Sequence, residues 1–303
     1  MRVLITGATG LVGTALVQSL QQDGHYVCRL LRKKSHDETE TKQGCDIEWD
    51  PQSGEFGRAA ENVEAVVNLA GASIADGRWS ADRKEVLRNS RVETTRGLIS
   101  AMEKMSPRPK VLVSASATGY YGNHGSELLT EASSPGTGFL AHLAQEWEAE
   151  AVRATALGVR VVLTRFGIIL AKKGGALPTM MVPFKIGAGG KLGPGTQWMS
   201  WVALEDVVRI IRFAIENDTV QGPVNVVAPQ PVTNTEFTQA LASTMHRPAF
   251  FTAPTFALRA VLGEMADEML LSSQRVIPEA VQTHGYQFVH SDLRTALATI
   301  LQK

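Results

Sequence analysis

The sequence predicts an α/β fold, a doubly wound parallel sheet with a smaller, mainly helical C-terminal lobe. Two observations carry the prediction. Through residue 170, short apolar or β-branched runs alternate with helical patterns, the order that builds a parallel sheet covered by helices. Those runs are almost continuously apolar, as strands buried on both faces must be.

The elements follow in chain order. RVLIT (2–6), HYVCRLL (25–31), DIEW (46–49), EAVVNLAG (64–71), KVLVSAS (110–116) and VRVVLTRF (159–166) read as strands. Residues 11–23, the charged stretch 80–105 and residues 139–157 read as the helices between them. After residue 170, KKGGALPTMM and KIGAGGKLGPGTQW are too irregular for a core element and read as a long loop near a site. QWMSWV (197–202) is strand-like, 203–217 is an amphipathic helix, and PVNVVA (223–228) is a strand able to rejoin the main sheet. From Pro229 onward helices dominate.

Composition narrows the function classes. The 303 residues, 44% hydrophobic and 20% charged, suffice for one large domain or a domain plus a lobe. Thirty basic and thirty acidic residues cancel without a long one-signed run, which favours a small-molecule substrate over nucleic acid or a membrane surface. Two cysteines, Cys28 and Cys45, argue against a disulfide framework and show no metal-ligand spacing. No leader pattern and no run of roughly 18 apolar residues is seen, so a cytoplasmic protein is expected. Monomer and homodimer both stay open.

The first strand runs into GATGLVG, with Gly7, Gly10 and Gly13 three residues apart. In that pattern the first glycine permits the tight turn, the second lets the backbone approach a pyrophosphate, and the third lets helix and strand pack closely. The helix N-terminus then offers free N–H groups to the phosphates. A strand before it, a helix after it and a second strand beyond make this a Rossmann dinucleotide site, with a structural glycine turn as the plainer alternative. At the end of the second strand, where an acidic residue would meet the ribose 2′-hydroxyl of NAD, stand Arg32, Lys33 and Lys34. A guanidinium there can hold a 2′-phosphate, so NADP(H) is the expected cofactor, against a merely solvated basic turn. Residues 1–170 are thus read as an NADP-binding Rossmann domain and 171–303 as a substrate-side lobe, with 197–228 expected to return to the first.

GATGLVG, NLAGA (68–72), SASATGYYG (114–122), RFGIIL (165–170) and WVALEDV (201–207) together resemble the extended short-chain dehydrogenase/reductase superfamily, which includes nucleotide-sugar epimerases. Residues 77–95, 139–151 and 254–288 narrow the resemblance to its atypical "epimerase family protein", sugar nucleotide epimerase-like branch. The resemblance implies roles. Gly7, Thr9, Gly10, Leu11 and Val12 match the pyrophosphate loop, and Leu69, Ala70 and Gly71 the border of the adenosine ribose. Ser114 and Ser116 fall in the fifth-strand motif, Ser116 matching the serine that hydrogen-bonds substrate. Phe166, Gly167 and Ile168 match the segment at the nicotinamide end, although an apolar triplet is ordinarily core.

One departure stands out. The superfamily places a tyrosine and, four residues on, a lysine on one helix face, yet residues 139–151 contain neither. Counting from Ser116 puts His142 and Glu146 in those positions, a replacement acid/base pair or simply a solvent-facing His and Glu. A buried Glu146 there would favour NADP⁺ over NADPH. Tyr120 or Tyr121 is a second source of the proton, with packing as its plain alternative. Lys84, Arg88 and Arg91 share a helical face suited to an anionic substrate, or to solvent. The expected function is an NADP(H)-dependent oxidoreductase or epimerase-like activity on a small polar, nucleotide-sugar or carbohydrate substrate. An NADP(H)-binding sensor or scaffold without turnover is the alternative.

Overall fold

The computed structural model describes residues 1–32, 43–56 and 60–302. Strands β1 (Arg2–Thr6), β2 (Tyr26–Leu31), β3 (Gly44–Glu48), β4 (Ala65–Asn68), β5 (Val111–Ala117), β6 (Arg160–Phe166) and β7 (Gly222–Val226) form a seven-stranded sheet. Its order is β3-β2-β1-β4-β5-β6-β7, parallel throughout. The strand order reverses between β1 and β4, and in open α/β sheets a ligand crevice opens at the strands' C-terminal ends at such a switch point.

Helices α1 (Leu11–Gln22), α2 (Ala81–Asn89), α3 (Val92–Glu103), α4 (Phe139–Val152), α5 (Ala176–Lys185) and α6 (Leu204–Glu216) follow in order. The two faces of β1 show why its run is apolar throughout. Val3 and Ile5 pack in a core with Leu16, Val17 and Leu20 of α1 and Ile210 and Ile211 of α6. Leu4 packs on the other side with Leu98 and Met102 of α3 and Ala151 of α4. Each such aliphatic side chain contributes roughly 1.5–3 kcal/mol by leaving water, so both layers are held mainly by burial.

Two sequence expectations change. The stretch 80–105 is two helices, broken at Ser90 and Arg91, where the backbone of Arg91 departs to φ −110° and ψ −63°. Lys84 and Arg88 therefore stay at the surface while Arg91 turns inward. The irregular stretch after residue 170 holds a ten-residue helix, α5, and a short strand, Gly190–Leu192. Pro178 lies in its first turn, where its missing N–H is no loss, and Pro183 is carried inside it because Leu177 and Phe184 are buried in the outer core.

The outer wall is assembled from two-stranded pieces. Ile168–Leu170 pairs with Trp201–Ala203, Gly190–Leu192 with Phe251–Ala253, and Trp198–Met199 with Val232–Thr233. Helices α7 (Asn234–Met245) and α8 (Thr255–Leu262) follow, α7 opening with a capping box between Thr233 and Glu236. Among the described residues, no helix is long and apolar enough to cross a membrane.

Candidate active site

A cavity of about 870 Å³ opens at the C-terminal ends of β1, β4, β5 and β6. Its floor is the glycine loop. Gly7 takes φ +67°, and a Cβ there would lie 2.5 Å from the Leu69 carbonyl oxygen. A Cβ on Gly13 would lie 2.2 Å from the Gly7 carbonyl oxygen, so both positions demand glycine for the fold itself. Gly10 differs: it caps α1 at an ordinary φ of −76°, and a Cβ would meet only the Gly7 oxygen, at 3.3 Å. The space beyond Gly10 belongs to the cavity. Among the described residues no side chain caps α1, no acidic residue lies in its first turn, and its first backbone bond runs from Thr14 N–H to Gly10. The N–H groups of Leu11, Val12 and Gly13 are thus left to an anion at the positive end of the helix. A dinucleotide pyrophosphate fits this cradle.

Of the other expected cofactor residues, Leu69, Ala70, Gly71, Phe166, Gly167 and Ile168 line the cavity, as do Leu11 and Val12. Thr9 does not; its side chain is exposed. Nor does Ser114, which is fully buried. Its hydroxyl accepts from Asn68 Nδ2 at 3.2 Å, in a set where Asn68 also bonds Thr6 and Thr95. Ser114 thus ties strands together beneath the site. Arg32 is exposed just past β2, and Lys33 lies outside the described residues.

Ser116 is the expected catalytic residue that the structure does bring to the cavity. It is 2% exposed, and its hydroxyl donates to Glu148 Oε1 at 2.6 Å. Glu148 in turn receives Arg165 through two bonds of 2.8 Å, Nε to Oε1 and Nη2 to Oε2. Burial would weaken the Arg165 proton, but Glu148 outweighs it and holds the guanidinium above its ordinary range. Arg165 also donates to the Tyr121 hydroxyl at 2.9 Å and lies 3.5 Å over the Tyr120 ring. Sequence reasoning missed Glu148 and Arg165. The available signal was a charged residue inside each apolar pattern, Arg165 in VVLTRF and Glu148 on the inward stripe of α4.

The tyrosines are packing residues. Tyr121 is fully buried, donates to Asn225 Oδ1 at 2.7 Å, and its phenol is pushed up to about 12 by burial. Neither Tyr120 nor Tyr121 lines the cavity, because the turn after β5 points both behind the strand ends. The expectation for His142 and Glu146 is likewise corrected. Both are exposed on the outer face of α4, and Glu146 is paired with Arg88 at 2.6 Å. The pair sits one residue off the inward stripe. Leu143 and Trp147, also four apart, are what α4 turns to the cavity, and the expected electrostatic effect of Glu146 on the cofactor lapses with its position.

A cation does reach the site, from another element. Arg91 is 8% exposed and lines the cavity, stacked over Trp147 at 5.3 Å. It donates to the carbonyls of Leu87 at 3.0 Å and Ala72 at 2.9 Å, and among the described residues it has no carboxylate partner. Burial, and then the charge of Arg83, lowers its pKa to about 10. Its former face-mates are spent at the surface, Lys84 on Glu264 and Arg88 on Glu146.

The opposite wall belongs to the C-terminal part of the chain. Glu268 accepts from the N–H groups of Phe139 at 2.6 Å and Leu140 at 2.7 Å, capping α4 across a separation of more than a hundred residues. Gly138, at φ +101°, makes room for it, since a Cβ there would lie 2.6 Å from Glu268 Oε1.

Residues 3–228 match the model of the NAD dependent epimerase/dehydratase family, and residues 253–300 match a domain of unknown function, DUF1731. The chain is 42% identical to an epimerase family protein of Mycobacterium leprae (strain TN) over 297 residues, 98% of this chain and 94% of that one. It is 38% identical to the epimerase family protein YfhF of Bacillus subtilis (strain 168) over 302 residues, 99% and 98% of the two chains. The crystal structure of human epimerase family protein SDR39U1 (isoform2) with NADPH superposes with a TM-score of 0.90 at 34% identity, covering 100% of this chain and 99% of that one. The chain belongs to the NAD dependent epimerase/dehydratase family, among the extended short-chain dehydrogenase/reductase proteins.

Proposed function

We propose that the protein is an NADP(H)-dependent oxidoreductase or epimerase-like enzyme that works without a tyrosine-lysine pair. The observation that carries this reading is one cavity joining an uncapped α1 N-terminus to the Ser116–Glu148 hydrogen bond. Gly10 and the N–H groups of Leu11, Val12 and Gly13 would hold the pyrophosphate, with Leu69, Ala70 and Gly71 bordering the adenosine ribose. Arg32 and Lys33 would take the 2′-phosphate, and Phe166, Gly167 and Ile168 would border the nicotinamide. The human relative solved with NADPH supports the choice of NADP(H). When bound, the cofactor supplies or receives a hydride.

The chain's own part is the proton. Ser116 already spends its proton on Glu148, so toward the cavity it offers lone pairs, and an acceptor suits a substrate hydroxyl. As the hydroxyl is oxidised, its proton passes to Ser116 Oγ while the proton of Ser116 moves to Glu148. The reverse path serves reduction. Arg165 positions Glu148 through both carboxylate oxygens. Leu143 and Trp147 keep water from this part of the site.

The same apolar face of α4 favours a second reading, an NADP(H)-binding protein without turnover. Purified chain is titrated with NADPH, NADP⁺ and NADH, and then followed at 340 nm with alcohols and carbonyl compounds. Tight NADPH binding with oxidation or reduction of any substrate supports the enzyme. Tight binding with no conversion across the panel selects the binding protein, and absence of NADPH binding overturns both.

A further inference from the structure

Past Ser116 the cavity is nearly devoid of charge. Among the described residues that line it, Arg91 and Glu268 are the only ionisable side chains. Glu268 is consumed by two backbone N–H groups, which leaves Arg91 as the one charge open to a ligand. The rest of the wall is dominated by Met180, Phe184, Trp198, Phe237, Leu241 and Phe251, with the uncharged Thr238, Thr252, Ser272 and Gln274 between them. Asn234, a polar group in this wall, is committed on both sides of its amide, to Leu192 N–H at 2.8 Å and to the Met199 sulfur at 3.4 Å.

A nucleoside diphosphate carries two adjacent phosphate charges, and burying them needs matching donors. The α1 N-terminus supplies such donors for the cofactor. The N-terminus of α5 adjoins it, since a Cβ on Gly175 would lie 2.9 Å from Leu11 Cδ2, so it too belongs to the cofactor half. Nothing comparable lies in the apolar half among the described residues. The apolar surface instead runs out through the mouth: Phe251 and Met269 line the cavity while 59% and 38% exposed, and adjacent Phe250 is 88% exposed.

We propose that the substrate is a predominantly apolar molecule with one oxygen function for Ser116 and at most one anionic group, received by Arg91, and that nucleoside diphosphate sugars are excluded. This replaces the expectation of a polar, carbohydrate-like substrate, and it rests on reading the cavity as a joint cofactor and substrate site. A carboxylate placed on Arg91 would neutralise a guanidinium whose present partners are all uncharged, two carbonyls, the Ser90 hydroxyl and the Trp147 ring.

The test is calorimetric titration of the full chain with 2-naphthalenemethanol, 2-naphthoate and UDP-glucose, each with and without saturating NADP⁺. The expected order is 2-naphthoate tightest, then 2-naphthalenemethanol, with UDP-glucose weaker than either by at least about ten-fold. Arg91→Met should remove the advantage of naphthoate over naphthalenemethanol. Phe251→Asp, at an exposed position that tolerates change, should weaken both naphthalene compounds several-fold and leave NADP⁺ affinity unchanged. UDP-glucose binding as tightly as the naphthalene compounds, or naphthalene binding insensitive to Phe251→Asp, overturns the proposal. Failure of NADP⁺ to bind overturns the cofactor reading alone, and the order of the three probes on the unliganded chain still decides the substrate class.

Discussion

The Ser116 hydroxyl donates to Glu148 at 2.6 Å, and this direction of donation sets what the cavity can do with a proton. A serine committed inward is an acceptor toward the ligand, and the carboxylate behind it is the place a proton can go. Ser116→Ala would remove the proton path proposed above and leave the glycine loop intact. Its kcat should fall about 10²-fold, the usual scale of a positioned acid/base group, with NADPH affinity within two-fold of wild type, as read by steady-state kinetics and fluorescence titration.

Glu148 also neutralises a buried guanidinium. Glu148→Gln should destabilise the fold by about 3–5 kcal/mol in urea unfolding, because the buried charge of Arg165 is left without its carboxylate. The double variant Glu148→Gln/Arg165→Met should regain most of that loss without regaining activity. A double variant no more stable than the single one contradicts the pairing.

Arg91 presents the opposite case, a charge held at a cost in stability. Folding lowers its pKa from the usual guanidinium range to about 10, so the penalty is full below pH 10 and is relieved as pH climbs above 10. Arg91→Met should raise stability near neutrality, by on the order of 3 kcal/mol at most, while ligand affinity falls. Tyr121 runs the other way in the same window: raised from 10 to about 12, its contribution is full below pH 10 and is lost as pH rises through 12. Chemical denaturation of wild type and variant between pH 8 and 12 should therefore show the Arg91 relief as a difference between two curves that share the Tyr121 loss.

Much of the fold was legible because it rests on burial. The seven strands follow from apolar runs, and the glycine turn from spacing that sterics alone impose at Gly7 and Gly13. The site was legible only in part. Ser116 could be placed by its motif, but the inward stripe of α4 was missed by one residue, since His142 and Leu143 differ by a single step of about 100° around the helix. Glu148, Arg165 and Arg91 matter through partners far away in sequence, 17 residues from Glu148 to Arg165 and 56 from Arg91 to Trp147. No local period reports such pairs. The helix at 176–185 was hidden by its two prolines, and it forms because tertiary burial outweighs propensity.

Cofactor choice is a separable question. Arg32→Asp should weaken NADPH roughly ten- to hundred-fold, the worth of one or two charge-assisted bonds, and change NADH binding little. Equal loss for both cofactors would show that Arg32 does not meet a 2′-phosphate.

The central claim is that the cavity above Gly10 holds the cofactor's pyrophosphate, and Gly10→Val tests it most directly. Unlike Gly7 and Gly13, Gly10 has an ordinary backbone conformation, and a Cβ there would meet only the Gly7 oxygen, at 3.3 Å, a contact that a small backbone shift relieves, so the variant should fold with its thermal midpoint lowered by only a few degrees. Its side chain would project into the space assigned to the phosphates. The measurement is the NADPH binding isotherm of the folded variant beside wild type: the expected result is a loss of affinity of at least about ten-fold, and an unchanged isotherm would contradict the account.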